Sequence, residues 1–438
     1  MNKVYCEQRP ATEPEPPATQ SGTGGSDPSP KSPTPDSLCL EFLLRCLSSS
    51  RQPLAVGRKP VDWNAVTTIA AHHGLTPLLY KRLKESGVQT RVPADVWERM
   101  RQVYVASAIR SMCVYRELRP VLRRLRGSGI KVLVLKGMFL AEEVYGDAAL
   151  RPMADVDFMV PRGELPRVQA ILLDMDFGPR EREDIELLCR ATKGLAPFTR
   201  AGFAVEPHWN IAHPTSPFRI DTAGLWARAC PATIAGAEVL ALSPEDLLLH
   251  LCLHTVHKHS LGLGLLPLCD IAETVRHHGS ELDWPRFTDR AREWGATRYV
   301  GLALDLARSL LGAEVPDAVL GQLVLGGIDS RMLETARGSV LARTGYKQWV
   351  PFFDEFGARS FGDKAKVSWE RVFLSRGEMA SLYPNSRTSR HLYPYYMLRV
   401  RDVVRAFGSY VLKRGQLVVR SRGRDRNTAL VKWLAGKS

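Results

Sequence analysis

The 438-residue sequence predicts an α+β fold in which a small β-sheet core is flanked by N-terminal and C-terminal helical regions. Apolar residues recur at helical spacing up to about residue 126 and again after residue 243, whereas the stretch between them carries short β-branched runs bounded by Gly. The chain is also longer than one hydrophobic core usually fills, so several units are expected.

Residues 1–36 come first. From Gln8 to Asp36 they are rich in Pro, Ser, Thr and Gly and nearly lack large apolar groups, so they cannot offset chain entropy and read as a disordered leader. From Ser37, an apolar stripe of Leu40, Phe42, Leu43, Leu44 and Leu47 begins a helical region over 37–126, continued by Trp63 to Leu83 and Trp97 to Leu125. At Ile130 the texture changes. KVLVLKG reads as a strand ending at Gly137, and MFLAEEVYG as a helix closed by Gly146. Further strands are expected at ADVDFMV (154–160) and GFAVEPHWNI (202–211), with a helix over 164–178 between them, which completes a core over 127–242. Ser243, Pro244, Glu245 and Asp246 then supply a cap, a first-turn proline and early acids for a helical domain over 243–325. A C-terminal extension, 326–438, ends in a basic aromatic tail.

Charge sharpens this division. The formal net charge is +14, and residues 385–438 hold 13 Lys and Arg against Asp402 and Asp425, so most of the excess belongs to the tail. Tyr395, Tyr396, Phe407 and Tyr410 interleave there with Arg399, Arg401, Arg405, Lys413 and Arg414. Such a segment fits an anionic partner (nucleic acid, a membrane surface or a protein), and equally a solvated helix. Eight dispersed cysteines without a C-x2-C pair argue against a structural zinc site. A polar N-terminus and the lack of any apolar run near the ~18 residues that span a bilayer point to a cytoplasmic chain with free thiols.

The chemistry gathers in the predicted core. Alternation along a strand puts Asp155 and Asp157 on one face and Val156 and Phe158 on the other. Paired carboxylates repel, and a cation such as Mg2+ or Mn2+, which prefers hard oxygen ligands, would relieve them; exposed loop acids are the plainer alternative. Lys136-Gly137 lies where a strand becomes a helix, a position at which backbone N–H groups receive phosphate, and Arg151 follows as a forked donor. Glu206 and His208 share a face of a later strand and add a third carboxylate and a second candidate base.

Taken in order, VLVLKGMFLAEEVYGDAALRPMADVDFMV, VEPHWNI, LSPEDLLLHLCLHTVH and LCDIAETV resemble the uncharacterised nucleotidyltransferase family of the DNA polymerase β-like superfamily, over roughly residues 125–310. The resemblance implies a small mixed-sheet nucleotidyltransferase core in which a Lys-Gly turn replaces the Gly-Ser turn of the wider superfamily. It makes Asp155 and Asp157 the metal pair for Mg2+ (or Mn2+), Glu206 the third acid, Lys136, Gly137 and Arg151 the residues that bind nucleotide phosphate, and His208 a supporting neighbour. The implied reaction moves a nucleoside monophosphate from a nucleoside triphosphate, ATP among them, to a hydroxyl acceptor with release of pyrophosphate. The family more often reads Asp-x-His-Trp where this chain reads Glu206-Pro207-His208-Trp209. Pro207 lacks a strand N–H, so edge or bulge geometry is expected there. That departure keeps open a nucleotide-binding adaptor or toxin–antitoxin-like partner that transfers nothing.

Two further features read as structural first. His250, His254 and His257 recur on an apolar helix, LLLHLCLH, without the Glu of H-E-x-x-H, and read as core histidines satisfied by hydrogen bonds. Asp270 in LCDIAE reads as a buried helix partner before a cleft residue.

Overall fold

The computed structural model describes residues 35–48 and 61–343, apart from 154, 179–192, 196, 214 and 215, together with residues 379, 391, 393–398, 400–401 and 429–436. The predicted leader up to residue 34 and most of the basic tail lie outside the described residues, and the last two leader positions, Pro35 and Asp36, begin a helix.

Four helices open the chain: α1 (Pro35–Leu47), α2 (Trp63–His72), α3 (Thr76–Glu85) and the 34-residue α4 (Ala94–Gly127). Six short strands follow: β1 (Leu133–Val134), β2 (Asp155–Met159), β3 (Phe198–Arg200), β4 (Phe203–His208), β5 (Cys230–Ile234) and β6 (Ala237–Ala241). Among them lie α5 (Leu165–Asp174) and α6 (Thr222–Ala227). The C-terminal helices are α7 (Pro244–Leu253), α8 (Leu266–His278), α9 (Trp284–Glu293), α10 (Thr297–Leu311), α11 (Asp317–Leu323) and α12 (Ser330–Ala342). The chain is therefore α+β, with one mixed sheet ordered β3-β4-β2-β1-β6-β5. β1 runs parallel to β6 and antiparallel to β2, while β2 and β4 are parallel.

Local chemistry explains the boundaries. Ser243 caps α7 by accepting the Asp246 N–H, and Pro244 fits the first turn because that position needs no donor. Two expectations shift. The strand read over KVLVLKG pairs only at Leu133–Val134 before the chain turns, and α5 ends at Asp174 rather than running to Gly178. The segment after Gly137 is helical but wide: the Tyr145 N–H reaches the Leu140 carbonyl five residues back at 2.8 Å. A second wide turn ends α7, where the His259 N–H reaches the His254 carbonyl at 3.2 Å. Such turns occur frequently at functional sites, and Tyr145, which ends the first, hydrogen-bonds Asp270 beside Arg151.

The sheet separates two cores. On one face Val134, Val156, Phe158, Phe198 and Val205 pack with Leu118, Val121 and Leu122 of α4 and Val168 and Leu172 of α5. On the other, Leu133, Leu135 and Met159 join a core that contains both α1–α3 and α7–α12. Helices distant in sequence thus share one core, and Asp155 and Asp157, which alternate with Val156 and Phe158, face that side. Among the described residues no helix is long and apolar enough to cross a membrane, and the six cysteines described are free thiols.

Asp246 ties this side together. It is fully buried, accepts from Arg228 Nε at 2.9 Å and from Arg290 Nη1 at 2.8 Å, and so links α7, α9 and the turn after α6. Removing one partner of such a network leaves buried charge uncompensated. Asp246→Ala is expected to destabilise the fold by on the order of 3 kcal/mol, seen as a lower chemical-denaturation midpoint with an unchanged slope.

Candidate functional site

The parallel pairing of β2 with β4 sets the site. Asp157 stands opposite Glu206, Met159 opposite His208 and Asp155 opposite Ala204, so all three acids and His208 share one face. His208 Nε2 lies 2.8 Å from Asp157 Oδ1 and 3.7 Å from Glu206 Oε2. One ligand atom from each of Asp157, Glu206 and His208 falls within 4.8 Å of the other two, a grouping able to hold a metal ion. Asp155 lies on the same face, two residues further along β2 from His208 than Asp157 is.

Pro207 does not break this alignment. β4 is an interior strand, contrary to the edge expected for a proline, but β3 covers it only from Phe203 to Val205. The Pro207 carbonyl accepts from the Leu195 N–H at 2.8 Å, so its missing N–H points to that flank and away from β2. The β2–β4 ladder loses nothing. Gly194, paired with His208, is needed for this close approach: a Cβ there would fall 2.3 Å from His208 Nδ1 and 2.6 Å from the Pro207 carbonyl.

β1 brings in the Lys-Gly turn. Val134 pairs with Phe158, and the next residues carry Lys136 Nζ to 2.5 Å from Asp157 Oδ2. Gly137 has φ +40°, a conformation that costs little only for glycine, and Arg151 Nη1 would lie 3.7 Å from a Cβ there. Arg151 thus borders the turn, yet its other edge is engaged: Nη2 donates to Asp270 Oδ2 at 3.0 Å and Nε to Oδ1 at 3.1 Å. Tyr145 Oη donates to the same carboxylate at 3.0 Å. Asp270 is accordingly the buried partner that orients Arg151 toward the turn.

The electrostatics follow from this crowding. Burial raises the Asp157 carboxyl, but the Lys136 ammonium and the His208 hydrogen bond outweigh it and hold Asp157 well below the carboxylate range. Burial and the neighbouring Asp157 and Asp155 charges push Glu206 up to about 7. Burial and the Lys193 charge bring His208 down to about 4, so its ring is neutral at pH 7. Because Asp157 is ionised it accepts, so His208 Nε2 carries the proton and Nδ1, buried, has no hydrogen-bond partner.

The histidines of α7 need correction. His250 is 2% exposed, as a core residue would be, but its Nε2 has no hydrogen-bond partner. Burial, with the charges of Lys193 and Lys136, holds it neutral. His254 Nε2 lies 3.0 Å from His259 Nε2, whereas the wide turn sends His257 to the rings of Phe218 and Tyr299. Lys193 and Lys258 were not foreseen. Burial and the Lys258 charge bring Lys193 down to about 7, and the Asp157 and Glu206 charges also act on it. The only local hint is that Lys193-Gly194 repeats the Lys-Gly pair of the first turn.

A family model described as Uncharacterised nucleotidyltransferase matches residues 59–312, more than half of the chain. The chain belongs to that family. The match starts well before residue 125 and takes in α2–α4. No curated protein and no solved structure matches the chain.

The donor set fits a cation: two carboxylates and an imidazole converge on one point, and the raised Glu206 marks repulsion that a cation would relieve. Metal binding then displaces the Glu206 proton below about pH 7 and none above it. Mn2+ affinity measured by calorimetry is expected to fall about tenfold per pH unit from 7 to 6 and to flatten above 8. In the metal-free chain the stability terms oppose each other. Glu206, raised, loses stability as pH climbs from 4.5 toward 7, while His208, lowered, gains it from about 4 to 6.5.

Proposed function

We propose that this nucleotidyltransferase uses Mg2+ or Mn2+ to move a nucleoside monophosphate from a nucleoside triphosphate to a hydroxyl acceptor, releasing pyrophosphate. The observation that carries this reading is the register that sets Asp157 opposite Glu206, with Asp155 and His208 on the same face and Lys136 against Asp157. A mixed sheet of this kind also suits the DNA polymerase β-like superfamily.

Asp155, Asp157 and Glu206 would hold the metal, with His208 switching tautomer to present its Nε2 lone pair as a fourth donor. When bound, the metal supplies Lewis acidity and neutralises charge on the phosphates. The rest falls to the chain. Lys136, the backbone at Gly137 and Arg151 Nη1 receive the triphosphate oxygens on the β1 side. Glu206, ionised once a bound metal has displaced its proton, is the carboxylate placed to take the acceptor's proton. The acceptor oxygen bonds to the α-phosphorus as the bond from that phosphorus to its bridging oxygen breaks, and the electron pair leaves with pyrophosphate. Such transfer relies on positioning and charge stabilisation. A cytoplasmic setting, where nucleoside triphosphates are abundant, fits this use.

One observation favours the alternative of an adaptor that binds nucleotide without transferring it. Both Asp157 oxygens are already engaged, Oδ2 by Lys136 and Oδ1 by His208, which a metal must displace. Turnover separates the two. Triphosphate-dependent pyrophosphate release by the full chain across a broad acceptor panel is expected to drop on the order of 10³-fold in Asp155→Ala/Asp157→Ala. Undiminished release by that variant would overturn the transferase reading, and metal-dependent binding without turnover would support the adaptor.

A further inference from the structure

Over its middle, α4 presents the reverse of an ordinary amphipathic helix. Its inward face there is small and polar: the buried Ser107 and Ser111 hydroxyls donate to the carbonyls of Ala149 at 2.7 Å and Ala148 at 2.9 Å. Its outward face carries Val105, Ile109 and Met112, which are 39%, 57% and 69% exposed, with the exposed Ala106 and the free thiol of Cys113 beside them. A helix that serves a single core buries its large apolar side chains and offers polar ones to water. Spacing of i, i+4 and i+7 joins these side chains into one stripe, unlike the scattered apolar residues of an ordinary surface, and a contiguous stripe marks an interaction site.

The charges at the two ends of the stripe identify its occupant. At 3.6 residues per turn, Glu98 and Arg116 project within about 40° of Val105 and Ile109, one beyond each end. The exposed Glu98 carboxylate accepts from Arg101 of its own helix at 2.7 Å. Arg116 is exposed, and Glu117, the acid beside it, is already held by Arg200 at 2.8 Å. Glu98 with Arg116 and Val105 with Ile109 are both centred on position 107. A two-fold axis at that level lays a second α4 antiparallel on the first, so that Val105 meets Ile109, Gln102 meets Met112 and Glu98 meets Arg116 of the other copy, each of them twice. No like charges face each other in this register, whereas parallel pairing would set Glu98 on Glu98 and Arg116 on Arg116. The contact runs along about 28 Å of helix.

We propose that α4 pairs antiparallel with α4 of a second copy of this chain, making a two-fold dimer whose axis crosses the helix at the level of Ser107. The apolar stripe is the centre of the interface, and a Glu98–Arg116 ion pair between copies closes each end. This surface stands behind the turn over residues 147–150, which Ser107 and Ser111 hold and which leads into Arg151. The dimer does not depend on which reaction the site catalyses.

Sedimentation equilibrium of the full chain under reducing conditions tests it, with the thermal midpoint recorded for every variant. The chain is expected to interconvert between monomer and dimer. Ile109→Glu, at an exposed position, should keep the native thermal midpoint and weaken the dimer about tenfold or more. Glu98→Arg and Arg116→Glu should each weaken self-association about threefold or more. An equal mixture of those two variants should form a heterodimer about as tight as the native dimer, because every reversed charge then faces an opposite one. A chain that stays monomeric at every concentration would overturn the proposal, since another segment of the same chain or a different partner then covers the stripe. Assembly beyond a dimer, a dimer indifferent to Ile109→Glu, or charge reversals that do not restore pairing when mixed would overturn it too.

Discussion

The parallel ladder between β2 and β4 is the constraint on which the site depends. Side chains directly across a parallel ladder point the same way, so pairing Asp157 with Glu206 and Met159 with His208 forces three ionisable groups onto one face within ligand distance of each other. A slip of one residue would turn every one of them into the apolar core that α4 and α5 build on the opposite face. Val156 and Phe158, fixed in that core, therefore hold the register that the chemistry needs. Burial of the acids is tolerable because the Lys136 ammonium neutralises Asp157, the neutral His208 ring donates a hydrogen bond to it, and Glu206 takes up a proton near pH 7.

The surrounding helices extend the same logic. α8 contributes Asp270, whose paired hydrogen bonds fix the Arg151 guanidinium beside Gly137, and Tyr145 completes that carboxylate. Since α1–α3 and α7–α12 share one core that also includes a sheet face, helices from both ends of the family match are packed on the sheet that carries the site. Placing charged groups from separate elements in one cleft requires those elements to be rigid with respect to each other, and the common core provides that rigidity.

Much of this was legible from the residues. Strand alternation alone puts Asp155 with Asp157 and Glu206 with His208, and the Lys-Gly pair marks a strand end whatever follows it. The ion pair of Lys136 was less visible: nothing local to the Lys-Gly turn signals the contact with Asp157 that antiparallel pairing of β1 with β2 brings about. Pro207 suggested an edge strand, and the structure satisfies it inside the sheet by ending β3 early. For His250 the apolar context correctly implied burial but not that Nε2 would be left unsatisfied. Lys193 carried only the repeated Lys-Gly pair and Lys258 no motif at all, because their surroundings come from long-range packing that no local pattern encodes.

The most direct test of the central claim is pulsed electron paramagnetic resonance of the full chain loaded with one equivalent of Mn2+. If β2 and β4 hold a cation at Asp157, the spectrum shows a directly coordinated imidazole nitrogen that disappears in His208→Phe, and Asp157→Asn abolishes the bound signal. Mn2+ that binds equally well to Asp157→Asn, or a nitrogen coupling that survives His208→Phe, would contradict the site as described.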